Sequence, residues 1–247
     1  MSKTTSFAKL LSASSLFMLC LLPIAALGSR WQLWPYTLGL ALFALALLVG
    51  LAIQVICALW LIQKPAQPVV KPLRLAVLLA LPALIISAAL MRENISGITL
   101  HDISTNTAQA PQYHKALQLR GEHANSVKYT ADKAQAQSQL YPHIKPIITL
   151  LNRQQNFQLA LATAQYLGWD IHHQNRQAGI IEAVDTSFWF GFKDDIIIQA
   201  QDQRVDIRST SRVGESDLGA NAKRISQFIA HFQTLLSVSP TIKATPQ

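Results

Sequence analysis

Residues 195–212 read DIIIQAQDQRVDIRSTSR. The runs 196–200 and 204–211 are rich in β-branched residues and flank a short polar turn, which is typical of a β-hairpin. We predict the register from the requirement that apolar side chains meet apolar side chains across the two strands. That register pairs Ala200 with Val205 and Ile198 with Ile207. The stretch therefore predicts an antiparallel hairpin with one buried face.

The same register places charged residues on the other face of the hairpin. Asp195, Arg208 and Arg212 then lie away from the apolar side, because successive strand residues point to opposite faces. Asp195 lies diagonal to Arg208, near enough for an ion pair. We therefore expect both arginines to contribute to an exposed charged surface.

More short strands precede the hairpin, and a helix stands on either side of the whole group. β-prone runs cover 169–174, 180–185 and 188–192. Apolar residues at helical spacing predict a helix over 152–167, ended by Gly168. A second helix follows the hairpin. The order predicts an α+β domain, an antiparallel sheet of four or five strands flanked by two helices that cover one face.

The last helix has a clear apolar stripe. Asp217 or Ser216 can cap its N-terminus, and Ile225 and Ile229 fall on the stripe that should face the sheet. Arg224 falls off the stripe, so we expect its replacement to have little effect on stability.

The N-terminal part of the chain has a different composition. Hydrophobic residues make up 50% of the 247 residues and charged residues only 14%, and the mean hydropathy is +0.23. Three apolar stretches, at about 10–27, 38–62 and 73–91, are each long enough to cross roughly 30 Å of hydrocarbon. They predict an α-helical membrane anchor of three transmembrane helices, with the lipid bilayer as a partner.

Basic residues in the short links predict the orientation. Lys3 and Lys9 precede the first stretch, and Lys64, Lys71 and Arg74 lie between the second and third. The positive-inside rule puts these segments in the cytoplasm. Three crossings then put the C-terminal part on the far side, which is the periplasm for a protein of a Gram-negative inner membrane. The first stretch also fits a cleavable signal peptide, which would leave that side unchanged.

The domain boundaries follow from these patterns. We predict an anchor over 1–97, an extended arm over 98–145, an α+β domain over 146–240 and a tail over 241–247. The pI of 9.7 arises mostly in the anchor, since 98–247 carry 14 basic and 12 acidic residues. This balance argues against a nucleic-acid partner. Both cysteines lie in apolar stretches, which leaves the polar part without a thiol for catalysis or zinc binding.

Several motifs of the polar part have more than one interpretation. The loop 212–219 fits a turn with a capped helix, an anion or head-group site at a helix N-terminus, or a serine nucleophile. Asp194 and Asp195 fit a structural ion pair or acid–base chemistry, but adjacent strand residues face opposite sides. For the same reason we interpret His172 and His173 as lone surface histidines. In the aromatic run 188–192 we expect Phe188, Phe190 and Phe192 in the sheet core and Trp189 exposed.

At these residues the chain resembles the bacterial family called domain of unknown function 1499. The resemblance rests on Gly97 and Ile98, on short pieces at 102–105, 167–169, 181–183 and 190–195, and on DIRSTSRVGESDLGAN at 206–221 with Arg224. Ala110 and Pro111 depart from the double proline of the family. The resemblance implies an envelope setting but no reaction, cofactor or catalytic residue.

Three hypotheses for the function remain. The first is a non-enzymatic envelope module that binds a partner protein or an anionic group without cofactor or metal. The second is an envelope hydrolase with Asp195 or Asp217 as acid or base. The third makes the polar residues entirely architectural. The candidate ligand- or partner-binding residues are Asp194, Asp195, Arg208, Ser209, Ser211, Arg212, Asp217, Asn221 and Arg224.

Overall fold

The structure is a computed structural model that describes residues 3–93 and 99–238. The predicted tail at 241–247 and the resemblance at Gly97 and Ile98 lie outside the described residues. The chain divides into two compact units. One comprises Met1–Ser96 with Ser187–Gly191, and the other comprises Gly97–Thr186 with Phe192–Gln247.

The first unit contains three long helices: α1 (Lys3–Arg30), α2 (Tyr36–Ile62) and α3 (Gln67–Glu93). Each is long and apolar enough to cross a membrane. Each of the three predicted apolar stretches lies within one of them. Pro23 lies inside α1, and Pro72 and Pro82 lie inside α3, as apolar helices that pack on neighbours tolerate.

Small residues line the contacts among these three helices. Gly39 of α2 lies so close to α1 that an added Cβ would stand 1.9 Å from the Ser29 hydroxyl oxygen. Gly50 of α2 approaches Ala83 of α3 in the same way, with an added Cβ at 2.7 Å from the Ala83 Cβ. Close backbone approach at small residues is the usual way in which apolar helices associate in lipid.

The second unit is an antiparallel sheet with helices, as predicted. In the sheet the order is β1-β6-β5-β4-β3, and β2 pairs with β6 beside β1. In chain order the elements are β1 (Asp102–Ser104), α4 (Ala116–Leu119), α5 (Ala131–Leu140), β2 (Ile147–Ile148), α6 (Arg153–Tyr166), β3 (Asp170–Asn175), β4 (Ile180–Thr186), β5 (Lys193–Gln201), β6 (Arg204–Ser211) and α7 (Ala220–Val238).

The predicted register of the β5–β6 hairpin is confirmed. Ala200 pairs with Val205, and Ile198 pairs with Ile207. All four side chains are fully buried. The alternation of apolar residues therefore fixes which face of these strands is covered by helices.

The two predicted helices form and pack on that face. Asn152 caps α6 through a capping box with Gln155, and Gly168 at φ +74° follows its last turn. Their buried residues join the strands in one core, which includes Phe157, Ala160, Ala164, Ala222, Ile225, Phe228 and Phe232. Ile229 packs at the edge of this core and remains partly exposed.

The arm covers the opposite face of the sheet. Tyr113 and Ala116 are buried there against Ile197 of β5. The arm also contributes β1 to the sheet edge and the helix α5, whose buried Gln137 binds the backbone of Ser104 through both its amide atoms. Both faces of the central strands are thus covered, which is why charged residues on the arm side become buried.

The aromatic run is only partly as predicted. Trp189 is exposed, as expected, but Phe188 is 67% exposed and does not belong to the core. Both residues lie in the turn between β4 and β5, where the alternation of a strand no longer applies.

Candidate functional site

The nine candidate residues fall on the two faces of one end of the sheet. We call Asp185, Asp194, Ser209, Ser211, Asn221 and Arg224 the helix-side cluster, and Asp102, Arg120, Asp195, Arg208 and Arg212 the arm-side cluster. Asp217 lies in the loop before α7. Successive residues of a strand point to opposite faces of the sheet, so Asp194 and Asp195 of β5 belong to different clusters.

Arg208 forms a buried ion pair with Asp102 of the arm. Its Nε lies 2.9 Å from Asp102 Oδ1 and its Nη2 lies 2.8 Å from Oδ2, a bidentate geometry. Both side chains are fully buried. The rings of Tyr113 and Tyr129 lie 5.0 and 5.3 Å from the guanidinium carbon, within range of a cation–π interaction. The expectation of an exposed Arg208 is therefore wrong.

Asp195 is held by two other arginines. Arg212 Nη2 donates to Asp195 Oδ1 at 2.7 Å and Arg212 Nε to Oδ2 at 3.0 Å, while Arg120 Nη1 also donates to Oδ2. The carboxylate is fully buried. The predicted pair between Asp195 and Arg208 is wrong, because β1 places Asp102 opposite Thr210 and diagonal to Arg208 on the same face.

Arg224 is the centre of the helix-side cluster. Its Nη2 donates to Asp194 Oδ2 at 2.6 Å and its Nε to Asp185 Oδ2 at 2.8 Å. Its Nη1 lies 2.6 Å from Asn221 Oδ1 and 3.1 Å from Ser209 Oγ. Arg224 is 7% exposed. The expectation that it lies off the buried face of α7 is wrong.

The serines of this cluster are bound to amides. Ser209 Oγ donates to Asn221 Oδ1 at 2.6 Å, and Asn221 Nδ2 donates to Ser211 Oγ at 2.9 Å and to the His101 carbonyl at 3.1 Å. A serine nucleophile needs an adjacent general base. Within residues 3–93 and 99–238, the hydrogen-bond partners of these two hydroxyls are the side chains of Asn221 and Arg224.

Asp217 occupies the N-terminus of α7. Its Oδ1 accepts from the Gly219 N–H at 2.9 Å and its Oδ2 from the Asn221 N–H at 2.8 Å. Burial raises the pKa of Asp217 above its ordinary value, while these two N–H groups oppose the shift. The side chain fills the position that an external anion would take at this helix end, which favours the capped-turn interpretation of the loop 212–219.

Asp217→Asn is expected to change the pH dependence of stability. With its folded-state pKa raised, Asp217 contributes most below its unfolded-state pKa of about 3.9, and the contribution is lost as pH rises through the raised value. The free energy of unfolding of the parent minus that of the variant should therefore grow as pH falls from 7 to 4. Denaturant titration of the full chain in detergent measures it, and a pH-independent difference would contradict the assignment.

Sequence reasoning missed a further buried carboxylate, Glu182 of β4. It accepts from the N–H groups of His114 and Lys115 at 2.8 and 3.1 Å and from that of Ala116 at 2.6 Å. His172 Nε2 lies 3.8 Å from it, so the interpretation of His172 as a lone surface residue is wrong. A register shift lies between Ile171 and His173 in this strand.

Asp102 and Arg120 were also missed as site residues. Asp102 lay in the short piece at 102–105 that the resemblance had already marked, whereas Arg120 had no signal in the arm sequence. Within residues 3–93 and 99–238, no group of three or more His, Cys, Asp or Glu residues is placed to hold a metal ion.

Comparison with known proteins identifies the polar part. The family model described as protein of unknown function (DUF1499) matches residues 102–232, from the first residue of β1 to the buried Phe232 of α7. None of the curated proteins matches the chain. Both polar clusters lie within the matched residues, and the match spans more than half of the sequence. The chain therefore belongs to the DUF1499 family.

Proposed function

We propose that the protein is a multi-pass protein of the inner membrane and that its C-terminal domain lies in the periplasm as a non-enzymatic binding or scaffolding module of the cell envelope. The three apolar helices support the membrane placement. The asymmetry of Lys and Arg in the short links supports the orientation.

One observation carries the non-enzymatic part of this proposal. Each candidate acid or base already has its oxygens bound by groups of the protein: Asp195 by two guanidiniums and Asp217 by two backbone N–H groups. Two guanidiniums already bind the Asp195 carboxylate, and its full burial keeps it from a substrate. A general acid or base must reach the proton that it transfers. The hydrolase alternative therefore has less support.

The contacts also bear on how the domain would bind a partner. Arg208 and Asn221 are fully buried, and Arg212 is largely buried with its donors on Asp195 and the Leu119 carbonyl. These groups hold the arm and α7 on the sheet, as the architectural interpretation expects. An envelope protein or an anionic group would then bind exposed residues of the domain, and these buried ion pairs would hold the binding surface in place.

The orientation has a direct test with paired reporters. Alkaline phosphatase, which is active only after export, is expected to be active when fused after Gln247 and inactive when fused after Gln63, in the basic link between α2 and α3. Green fluorescent protein at the same two sites should give the opposite pattern. Fluorescence at Gln247 with no phosphatase activity there would refute the periplasmic placement.

A further inference from the structure

We propose that the arm side of the sheet carries a binding site for a neutral oligosaccharide, in two adjoining recesses along the arm segment 106–112. This inference rests on the proposed function for the role of the domain as a binding module, and it names the ligand class. The first recess has a volume of about 230 Å³ and the second about 390 Å³. Both recesses are bounded by Gln109, Ala110 and Gln112.

The walls of both recesses lack charged groups. The first is lined by Ile180, Ile197, Gln199 and Gln201 of the sheet and by arm residues between 106 and 114. In the second, the arm residues 107–110 and Gln112 face Tyr129, Thr130, Ala131 and Ala134. No Asp, Glu, Lys or Arg is among these residues. A charged ligand would lose hydration there without gaining a counter-charge, so the recesses favour a neutral ligand.

A neighbouring carboxylate is already bound by groups of the protein. Asp206, opposite Gln199 on β6, is 1% exposed. Its oxygens accept from Arg204 Nε at 2.8 Å and from the Thr105 hydroxyl at 3.2 Å. It therefore adds little net charge to the neighbouring recess.

Side-chain amides supply the hydrogen-bonding groups. Gln199 and Gln201 project from β5, while Gln109 and Gln112 project from the arm. Within residues 3–93 and 99–238, the side-chain amides of Gln109 and Gln199 form no hydrogen bond to the protein. An amide offers two N–H donors and an acceptor oxygen. Adjacent hydroxyls of a sugar ring both donate and accept, and match this pattern.

Apolar groups complete the match. Ile180 of the sheet is partly exposed in the first recess, and Tyr129 borders the second. A pyranose ring has apolar C–H faces and polar edges. It can place one face on such a surface while its hydroxyls reach the amides. Two adjoining recesses then fit consecutive rings of an oligosaccharide.

The strand pairing disfavours an extended peptide as the ligand. Peptides that bind sheets add a strand at a free edge through backbone hydrogen bonds. β5 is paired with β4 along one edge and with β6 along the other. A ligand over this face therefore depends on side chains alone, as a saccharide does.

Saturation-transfer NMR with the full chain in phosphatidylcholine nanodiscs tests the proposal, since maltoside detergents are themselves saccharides. The neutral probes are maltotriose and the trimer of N-acetylglucosamine. The charged probes are the deacetylated trimer and trigalacturonate. We expect binding of at least one neutral trimer, and at least tenfold weaker binding of both charged ones. Transfer to neither neutral trimer, or equal binding of the charged ones, would overturn the inference.

Matched variants locate the site. Gln199→Met keeps the side-chain length but removes the amide, and should weaken binding about tenfold, as the loss of one or two hydrogen bonds would. Gln227→Met makes the same change at an exposed position of α7 and should leave binding unchanged. Gln109→Met replaces the first variant if that one fails to fold. Equal binding by the site and control variants would overturn the proposed location.

The reporter fusions test the orientation in the membrane, and the NMR measurements test saccharide binding, so either claim can fail without the other. A cytoplasmic C-terminus would refute the proposed envelope function while leaving saccharide binding by the domain measurable. A periplasmic C-terminus without saccharide binding would refute this inference alone.

Discussion

Arg208→Met is expected to destabilise the domain by about 3–5 kcal/mol, because it leaves Asp102 buried without its bidentate partner. Methionine retains much of the apolar stem, so the loss is mainly that of the charge. The remaining donors to Asp102 are the Thr210 hydroxyl at 2.7 Å and Lys133 Nζ at 3.2 Å. The loss is a large part of the 5–15 kcal/mol that usually separates the folded from the unfolded state.

Hydrogen exchange of the β5 and β6 backbone amides in the full chain measures this effect as a free energy of opening. Arg176→Met is the matched control, because Arg176 is exposed in the turn between β3 and β4. It should change the exchange of these amides by less than about 0.5 kcal/mol. Similar effects of the two substitutions would show that the Arg208 pair is not a structural element.

A double substitution separates the lost charge from the lost packing. Asp102→Leu combined with Arg208→Met removes both buried charges, and replacing a buried ion pair by apolar side chains is often neutral or stabilising. The double variant should therefore be more stable than Arg208→Met alone. A double variant that is less stable than Arg208→Met would show that the loss of the bidentate partner of Asp102 is not the cause.

The sequence predicts the fold well where burial follows a local period. The three apolar helices follow from high hydropathy over spans of at least 18 residues. The β5–β6 register follows from four apolar residues, and it is confirmed. In each case the prediction needs only residues that are close in sequence, because the pattern of apolar and polar side chains shows which of them leave water.

The ion pairs could not be predicted in the same way. Arg208 lies 106 residues from Asp102, and the hairpin alone offers only Asp195 and Asp206 as carboxylates on its face. The choice depends on β1, a strand of three residues in an arm without periodicity. A pairing inferred within one hairpin therefore misses the partner that an edge strand brings.

Arg224 was misplaced for a different reason, and here the sequence held a usable signal. The stripe of α7 was defined by apolar residues alone. However, the strand parity puts Asp194, Ser209 and Ser211 on the same face as Ile196 and Ile207. The helix side of the sheet is thus polar at one end. The first turns of α7, which cover that end, need polar residues facing inward.

Arg224→Met is therefore expected to destabilise the domain by about 3 kcal/mol, at the lower end of the range for a broken buried pair. Arg224 itself is 8% exposed at its side chain and Asp194 9%, but Asp185 is 36% exposed and can be hydrated after the change. The variant leaves Asp194 without its charged partner under α7. We expect the largest loss of protection from hydrogen exchange in the first turns of that helix.

Lys223→Met provides the control one residue away, at an exposed position of the same helix, and should leave exchange in α7 nearly unchanged. Arg224→Met leaves the buried Asp194 carboxylate without its charged partner. Adding Asp194→Asn removes that charge, so the double variant should regain part of the lost protection from hydrogen exchange. If Arg224→Met instead matched Lys223→Met, Arg224 would not support the packing of α7. The polar end of the sheet would then contribute little to holding this helix in place.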